Sequence, residues 1–255
     1  MNATEQPSRP TNVKPTIVLV HGAFADASSW NGVIERLQQQ DYTVIASANP
    51  LRGVTADSAY TASLLNQIDG PVLLVGHSYG GVVITNAASS APNVVGLVYV
   101  AAFAPDEGEA LGAVAPESKD SVLNSALAPK QYPSNGGTAA EFSINPAKVR
   151  EAFAGDLPDK DIALIAATQR PISELAFSDV NGPPAWKRLP SWAVVATGDK
   201  AVGADLARSM AQRAGATITE VEGSHVIMIS QPQAVTDVIM EALARVGAGA
   251  MAGAR

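Results

Sequence analysis

Runs of consecutive apolar residues alternate along the chain with stretches in which apolar residues recur every three or four positions. Runs that are apolar on both faces are typical of strands in a parallel sheet covered by helices on both sides. The pattern therefore predicts an α/β fold with a doubly wound, mostly parallel sheet of about six strands. The predicted strands cover residues 16–21, 43–47, 71–76, 94–102, 192–196 and 216–221.

Between these runs, apolar residues with the spacing i, i+3, i+4, i+7 predict amphipathic helices. The last helix is expected to begin near Ser230, because the spacing to Gln233 fits a capping box and Pro232 stands near the first turn. The predicted apolar stripes are Trp30, Val33, Ile34 and Leu37; Tyr60, Leu64, Leu65 and Ile68; and Val235, Val238, Ile239, Ala242 and Val246.

The alternation stops over residues 104–189, which are rich in Pro, Ala, Ser and Asp and show only short helical patterns. This stretch is far too long for a loop. We expect it to form a helical cap inserted late in the chain, above the carboxyl ends of the strands, where α/β sheets bind ligands. The core would comprise residues 15–103 and 190–247, and residues 1–14 and 248–255 would be flexible tails.

The most specific local motif is Gly76-His77-Ser78-Tyr79-Gly80, which joins a predicted strand to a helix-compatible run of small residues. A G-x-S-x-G turn of this kind is a nucleophile elbow, which exposes the serine hydroxyl at the edge of the sheet. The strained turn requires residues without bulk two positions before and after the serine, and both are glycine. Ser78 is therefore the candidate nucleophile.

A serine nucleophile needs a base, and the chain has three histidines. His77 lies on the strand before Ser78 and should point away from its face. His21 ends the first strand, so His225 is the only histidine on a late loop. We interpret His225 as the base rather than as a structural loop residue.

Asp199 follows the strand 192–196 and precedes His225, which gives the chain order Ser78, Asp199, His225. This is the order of an α/β-hydrolase triad, in which the carboxylate orients the imidazole. Asp199 could instead cap a helix that starts near Gly203, because aspartate is a favoured N-cap residue. Asp106, after the strand that ends at Ala102, is the alternative acid.

His21-Gly22-Ala23-Phe24 ends the first strand, whose tip should lie beside the elbow. We expect the amides of Ala23 and Tyr79 to form an oxyanion hole. Phe24 would line the pocket, together with Phe103 and Trp186. Further aromatic candidates are Phe142, Phe153 and Phe177, although burial within the cap itself is the more frequent fate of any one of them.

From Pro15 to Val246 the chain resembles the α/β-hydrolase superfamily, and the run HGAFADASSW (residues 21–30) resembles small bacterial esterases and the plant esterase and hydroxynitrile-lyase group. The lyases of that group carry threonine after the first histidine and lysine after the last, where this chain has Gly22 and Val226. The resemblance therefore implies ester hydrolysis rather than cyanohydrin cleavage. A serine at the elbow also excludes the aspartate chemistry of dehalogenases and epoxide hydrolases.

Composition narrows the remaining classes. The net charge of −7 provides no basic footprint for nucleic acid, and without cysteine there is no thiolate chemistry and no disulfide. The longest apolar run, residues 94–104, is too short to span a membrane, and residues 1–14 lack the apolar segment of a signal peptide. We expect a cytoplasmic monomer or homodimer that needs no metal or cofactor.

The leading hypothesis is a serine esterase acting on small-molecule esters through an acyl-serine intermediate. Few charged residues can be assigned to the pocket rim, which favours an apolar acyl or alcohol group. The alternatives are a cofactor-free lyase or perhydrolase on the same triad, and a ligand receptor on a hydrolase scaffold with slow turnover.

Overall fold

The fold is centred on a six-stranded parallel sheet. The computed structural model of the chain describes residues 13–134 and 136–252. The strands of the sheet have the order β2-β1-β3-β4-β8-β9, and every neighbouring pair is parallel. All six predicted strands are confirmed: β1 (Thr16–Val20), β2 (Val44–Ser47), β3 (Val72–His77), β4 (Val94–Val100), β8 (Ser191–Ala196) and β9 (Thr217–Val221).

Helices cover the sheet, and two of the three predicted apolar stripes match their buried faces. Val33 and Leu37 are buried on α1, and α11 buries Val235, Val238, Ile239 and Ala242 against α1 and the sheet. The helices are α1 (Asn31–Gln38), α2 (Val54–Leu65), α3 (Tyr79–Ala87), α9 (Ala204–Arg213), α10 (Ile227–Ser230) and α11 (Pro232–Ala252), with short 3-10 helices at Ala27–Trp30, Ala88–Ser90 and Ala185–Lys187.

The predicted stripe of α2 is wrong in part, because Tyr60 is 51% exposed. The helix begins earlier, at Val54, and buries a face of small and polar side chains against α3. Small residues allow two helices to approach closely, and such a face lacks the bulky apolar residues that a periodicity search detects. The buried residues of α2 are Val54, Asp57, Ser58, Thr61, Ala62 and Leu65.

The insertion, residues 104–189, contains a three-stranded antiparallel sheet with the order β5-β6-β7 as well as helices. The prediction of a helical cap is therefore incomplete, because it omits this sheet. The strands are β5 (Leu127–Ser134), β6 (Gly137–Ile144) and β7 (Ile172–Ser173), and the helices are α4 (Leu111–Val114), α5 (Leu123–Ala126), α6 (Val149–Ala152), α7 (Asp159–Thr168) and α8 (Leu175–Ser178), with 3-10 helices at Ala115–Glu117 and Pro146–Lys148.

The hairpin was missed because β5 carries two prolines and is largely exposed, so no alternation of apolar and polar residues marks it. Proline is tolerated there because β5 is an edge strand, on which some N–H positions face away from the ladder. Gly136, between the two strands, has a φ of 81°, and glycine with positive φ is typical of a tight hairpin turn.

Polar contacts fasten the insertion to the segments that follow β1 and β2. The Arg52 guanidinium binds the Glu141 carboxylate of β6 at 2.9 Å and the carbonyl oxygen of Pro171 at 3.2 Å. The amide of Phe24, just beyond β1, donates to the carbonyl oxygen of Arg170 at 3.1 Å. The insertion therefore lies above the edge of the sheet at which Ser78 stands.

Most of the two expected flexible tails cannot be compared with the structure. Residues 1–12 and 253–255 lie outside the part of the chain that it describes. Where a tail was expected from residue 248, α11 instead continues to Ala252. Within the described residues, no helix combines the length and the apolar character needed to cross a membrane.

Candidate active site

Ser78 stands at a strained turn between β3 and α3, with φ 54° and ψ −123°. The two flanking glycines are required by close backbone contacts. A Cβ at Gly76 would lie 2.6 Å from the carbonyl oxygen of Gly80, and one at Gly80 would lie 2.4 Å from the carbonyl oxygen of Val20. The geometry is that of a nucleophile elbow, as the motif predicts.

Asp199 and His225 form a buried pair, with Nδ1 of the imidazole 2.9 Å from Oδ2 of the carboxylate. The other carboxylate oxygen, Oδ1, accepts from the amides of Ala201 at 2.8 Å and Val202 at 3.1 Å. Asp199 thus organises the loop before α9 and binds His225 at the same time. The second ring nitrogen, Nε2, is buried and has no hydrogen-bond partner among the described residues.

Asp106, the alternative acid, lies elsewhere in the described structure. Its carboxylate pairs with the Lys187 ammonium at 2.5 Å, and this hydrogen bond lowers the pKa of Asp106. The geometry therefore pairs His225 with Asp199 and leaves Asp106 in a surface ion pair.

The other two histidines have structural contacts. Nε2 of His77 donates to the carbonyl oxygen of His225 at 3.0 Å, which holds the His225 loop against the elbow. Nε2 of His21 accepts from the Asn49 amide at 3.0 Å, and Nδ1 donates to the carbonyl oxygen of Gly22 at 2.9 Å. Burial lowers the pKa of His21 and lowers that of His77 well below its usual range, so both rings are neutral near pH 7.

Some of the backbone amides near Ser78 already donate a hydrogen bond to another residue, and others do not. The Phe24 amide is engaged by Arg170, as described above, which excludes it as a free donor. In the part of the chain that the structure describes, the amides of Ala23 and Tyr79 have no intramolecular acceptor. Both residues line the cavity in front of Ser78, so their N–H groups are available to a bound oxyanion.

The cavity in front of Ser78, here the Ser78 cavity, has a volume of about 30 Å³. Phe24 and Phe103 line it as predicted, together with Phe177. The prediction for Trp186 is wrong: its indole N–H donates to the carbonyl oxygen of Pro105 at 3.1 Å, and the ring does not line the cavity. A buried indole needs a partner for its N–H, and a nearby backbone carbonyl supplies one.

The other two aromatic candidates lie behind those in the wall. Phe142 packs edge to face on Phe177, with ring centroids 5.6 Å apart. Phe153 packs on Phe24 at 6.1 Å and on the His225 ring at 5.1 Å.

Sequence reasoning missed Asp156, a residue of the insertion that contacts the His225 loop. Its carboxylate accepts from the Ser224 amide at 3.0 Å and from the Ser224 hydroxyl. Burial raises the pKa of Asp156, but the hydrogen bonds from Ser224 outweigh it and the net pKa is lowered. Asp156 therefore stays ionised and fixes the residue before His225; no local motif marks it in the sequence.

A second missed contact involves Asp57 on α2. Its buried carboxylate accepts from the Tyr79 hydroxyl at 2.8 Å and from the Arg52 amide at 3.0 Å. Burial raises the pKa of Asp57. The contact anchors the side chain of Tyr79, the residue whose amide follows the elbow serine.

Comparisons with known proteins identify the family of the chain. The model of the family described as the alpha/beta hydrolase family matches residues 17–238 of the chain. The chain belongs to the α/β-hydrolase family. Among its relatives, Methylesterase 2 of Arabidopsis thaliana is 24% identical over 254 residues, which cover 88% of this chain and 94% of that protein.

A second relative of this α/β-hydrolase is the carbendazim hydrolyzing esterase of Nocardioides sp. (strain SG-4G), which is 32% identical over 114 residues, 40% of this chain and 47% of that protein. The crystal structure of polyneuridine aldehyde esterase superposes with a TM-score of 0.76 at 20% identity and covers 90% of this chain and 99% of that chain. This structural match shows the fold. The esterase names of the relatives support ester hydrolysis as the general class of reaction.

Proposed function

We propose that this α/β-hydrolase is a serine esterase that cleaves small carboxylic esters through an acyl-serine intermediate. The observation that carries the proposal is the Ser78 elbow combined with the buried Asp199–His225 pair on the adjacent loop. Esterases among its relatives support the same class of substrate.

In the proposed reaction, the Ser78 hydroxyl attacks the ester carbonyl carbon while Nε2 of His225 takes its proton. The amides of Ala23 and Tyr79 stabilise the negative oxygen of the tetrahedral intermediate. The imidazolium returns the proton to the departing alcohol, and Asp199 stabilises the positive ring. Water then attacks the acyl-serine with the same base and releases the acid.

Gly22 supports hydrolysis over the lyase alternative. A Cβ at position 22 would lie 2.6 Å from the Ser78 Cβ and 2.9 Å from the carbonyl oxygen of His77. The threonine of the lyase pattern therefore has no room beside this elbow.

The proposal is tested with Ser78→Ala, p-nitrophenyl esters and a serine-directed phosphonate. Removing the nucleophile should lower kcat/KM by about 10⁴-fold or more and abolish labelling, since only binding and the oxyanion hole remain. Circular dichroism should show an unchanged fold. Wild-type activity in Ser78→Ala contradicts the mechanism, and slow single turnover by the wild-type protein with a tightly held product indicates a receptor instead.

The expectations of a cytoplasmic location and of a monomer or homodimer stay predictions. Cell fractionation and analytical ultracentrifugation of the full chain test them directly.

A further inference from the structure

A second cavity lies on the other side of Phe24 from Ser78. It is half open to solvent and is lined by residues of the segment Phe24–Gly32, by Phe153, by α7 of the insertion and by Val226 and Ile229, and we call it the outer cavity. Its volume is about 180 Å³, against about 30 Å³ for the Ser78 cavity. Phe24 lines both cavities, so this residue is part of the wall of each.

The volumes of the two cavities limit which part of a substrate each can hold. A cavity needs roughly 10–15 Å³ of such space to hold one water molecule, whereas an apolar protein cavity of about 150 Å³ holds a benzene molecule. The Ser78 cavity therefore accommodates little beyond the reacting group. The outer cavity has the volume of a phenyl ring or of a short alkyl chain.

The walls of the outer cavity combine apolar side chains with the polar residues Asp26, Ser28, Ser29, Asn31 and Thr168. Phe24, Phe153, Ile165, Val226 and Ile229 supply apolar surface. Among the described residues, the one carboxylate in the lining is Asp26, whose Oδ1 accepts from the Ser28 amide at 2.8 Å and from the Ser28 hydroxyl at 2.5 Å. The Ser28 hydroxyl hydrogen bond lowers the pKa of Asp26. The negative charge of Asp26 therefore disfavours an anionic group in the outer cavity but does not repel a neutral group.

We propose that the outer cavity binds the neutral apolar arm of the ester substrate, a group the size of a phenyl ring or six-carbon chain, with the Phe24 ring as a movable partition. The proposal rests on the proposed esterase function and adds the class of substrate to it. The partition is also tied to the insertion, because the Phe24 amide bonds to Arg170, two residues after the end of α7. Helix α7 therefore lines the outer cavity, and the segment directly after α7 holds Phe24 in place.

The test uses three variants of the full-length protein. Ile165→Trp fills the outer cavity, and Phe24→Ala removes the partition. Leu164→Trp is the matched control, since Leu164 is the preceding residue on α7 and is 63% exposed. The readout is the ratio of kcat/KM for a long ester to that for the corresponding short ester.

Two substrate series show which side of the ester enters the cavity: p-nitrophenyl acetate to octanoate, and acetate esters of ethanol, hexanol and benzyl alcohol followed in a pH-stat. In one of the two series, Ile165→Trp should lower the long-to-short ratio about tenfold, the usual size of one apolar recognition element. Phe24→Ala should raise the ratio in the same series, and Leu164→Trp should leave it unchanged.

The phosphonate separates failure of this inference from failure of the esterase assignment. If Ser78 is labelled and turnover is normal, but neither Ile165→Trp nor Phe24→Ala changes the ratio in either series, the outer cavity is not a substrate site. Should Ile165→Trp fail to fold, Phe24→Ala decides alone: an unchanged ratio overturns the proposal.

Discussion

The sheet and the insertion hold their parts of the candidate site in different ways. Ser78 is placed by backbone geometry, with its flanking glycines packed at distances that admit no side chain. The insertion is placed by individual polar contacts, such as Arg52 to Glu141 and Asp156 to Ser224. Ser78 is therefore fixed by the backbone, whereas the His225 loop and the walls of the site depend on a few replaceable side chains.

Asp199→Asn gives the strongest test of the sheet side of this comparison. The amide favours the wrong imidazole tautomer, so kcat should fall by about 10²–10⁴-fold. Asp106→Asn is the matched control and should leave kcat within about twofold, since loss of a surface ion pair has little effect. A large loss in Asp106→Asn with little loss in Asp199→Asn would move the acid to Asp106. Steady-state kinetics on p-nitrophenyl acetate decide between the two.

The buried histidines beside the elbow make this region sensitive to acid. In the folded protein, the pKa values of His21 and His77 both lie below the ordinary histidine value of about 6.5, because burial disfavours the charged ring. The unfolded chain then binds more protons below about pH 6.5, and the free energy of unfolding should fall by up to about 1.4 kcal/mol per pH unit for each ring. Urea unfolding between pH 5 and 8 measures the slope. A flat profile over this range contradicts neutral buried rings.

Asp156→Ala tests whether the insertion positions the base. Loss of both contacts to Ser224 should lower kcat about tenfold with a smaller change in KM, because supporting residues orient the reacting group rather than bind substrate. The rate of phosphonate labelling should fall by the same factor, and Asp156→Asn should restore part of it. Asp159→Ala, in an exposed position of the insertion, is the control. Equal kinetics for Asp156→Ala and Asp159→Ala would show that the insertion does not support His225.

The smallest expected effect concerns the attachment of the insertion. Arg52→Met removes a partly exposed ion pair and a hydrogen bond to Pro171, and should lower stability by about 1 kcal/mol. For a chain of this size, the Tm should fall by about 2–4 °C. The control is Arg208→Met, which removes the partly exposed ion pair with Glu220 outside the insertion. Faster proteolysis within residues 104–189 in Arg52→Met alone would locate the loosening in the insertion.

The elements predicted well from sequence are those with a short-range physical signal. The parallel strands are continuous apolar runs, and the elbow and the Asp199–His225 pair follow from residues at strand ends. Asp156 and Asp57 were missed because their roles depend on partners 68 and 22 residues away. Trp186 was misplaced because a buried aromatic residue looks the same in sequence whether it lines a cavity or donates to a backbone carbonyl.

The two prolines of β5 have a consequence for the state of the protein in a crowded solution. Pro129 and Pro133 are four residues apart on an edge strand, so their backbone nitrogens face the same side of the strand. Neither residue has an N–H group. An exposed edge with free donors is a template for pairing with another chain. Between the two prolines, Gln131 is the one residue that still directs a backbone N–H to that side of the strand. The prolines therefore remove two donors from this edge, which lowers its capacity to pair with a strand of another chain.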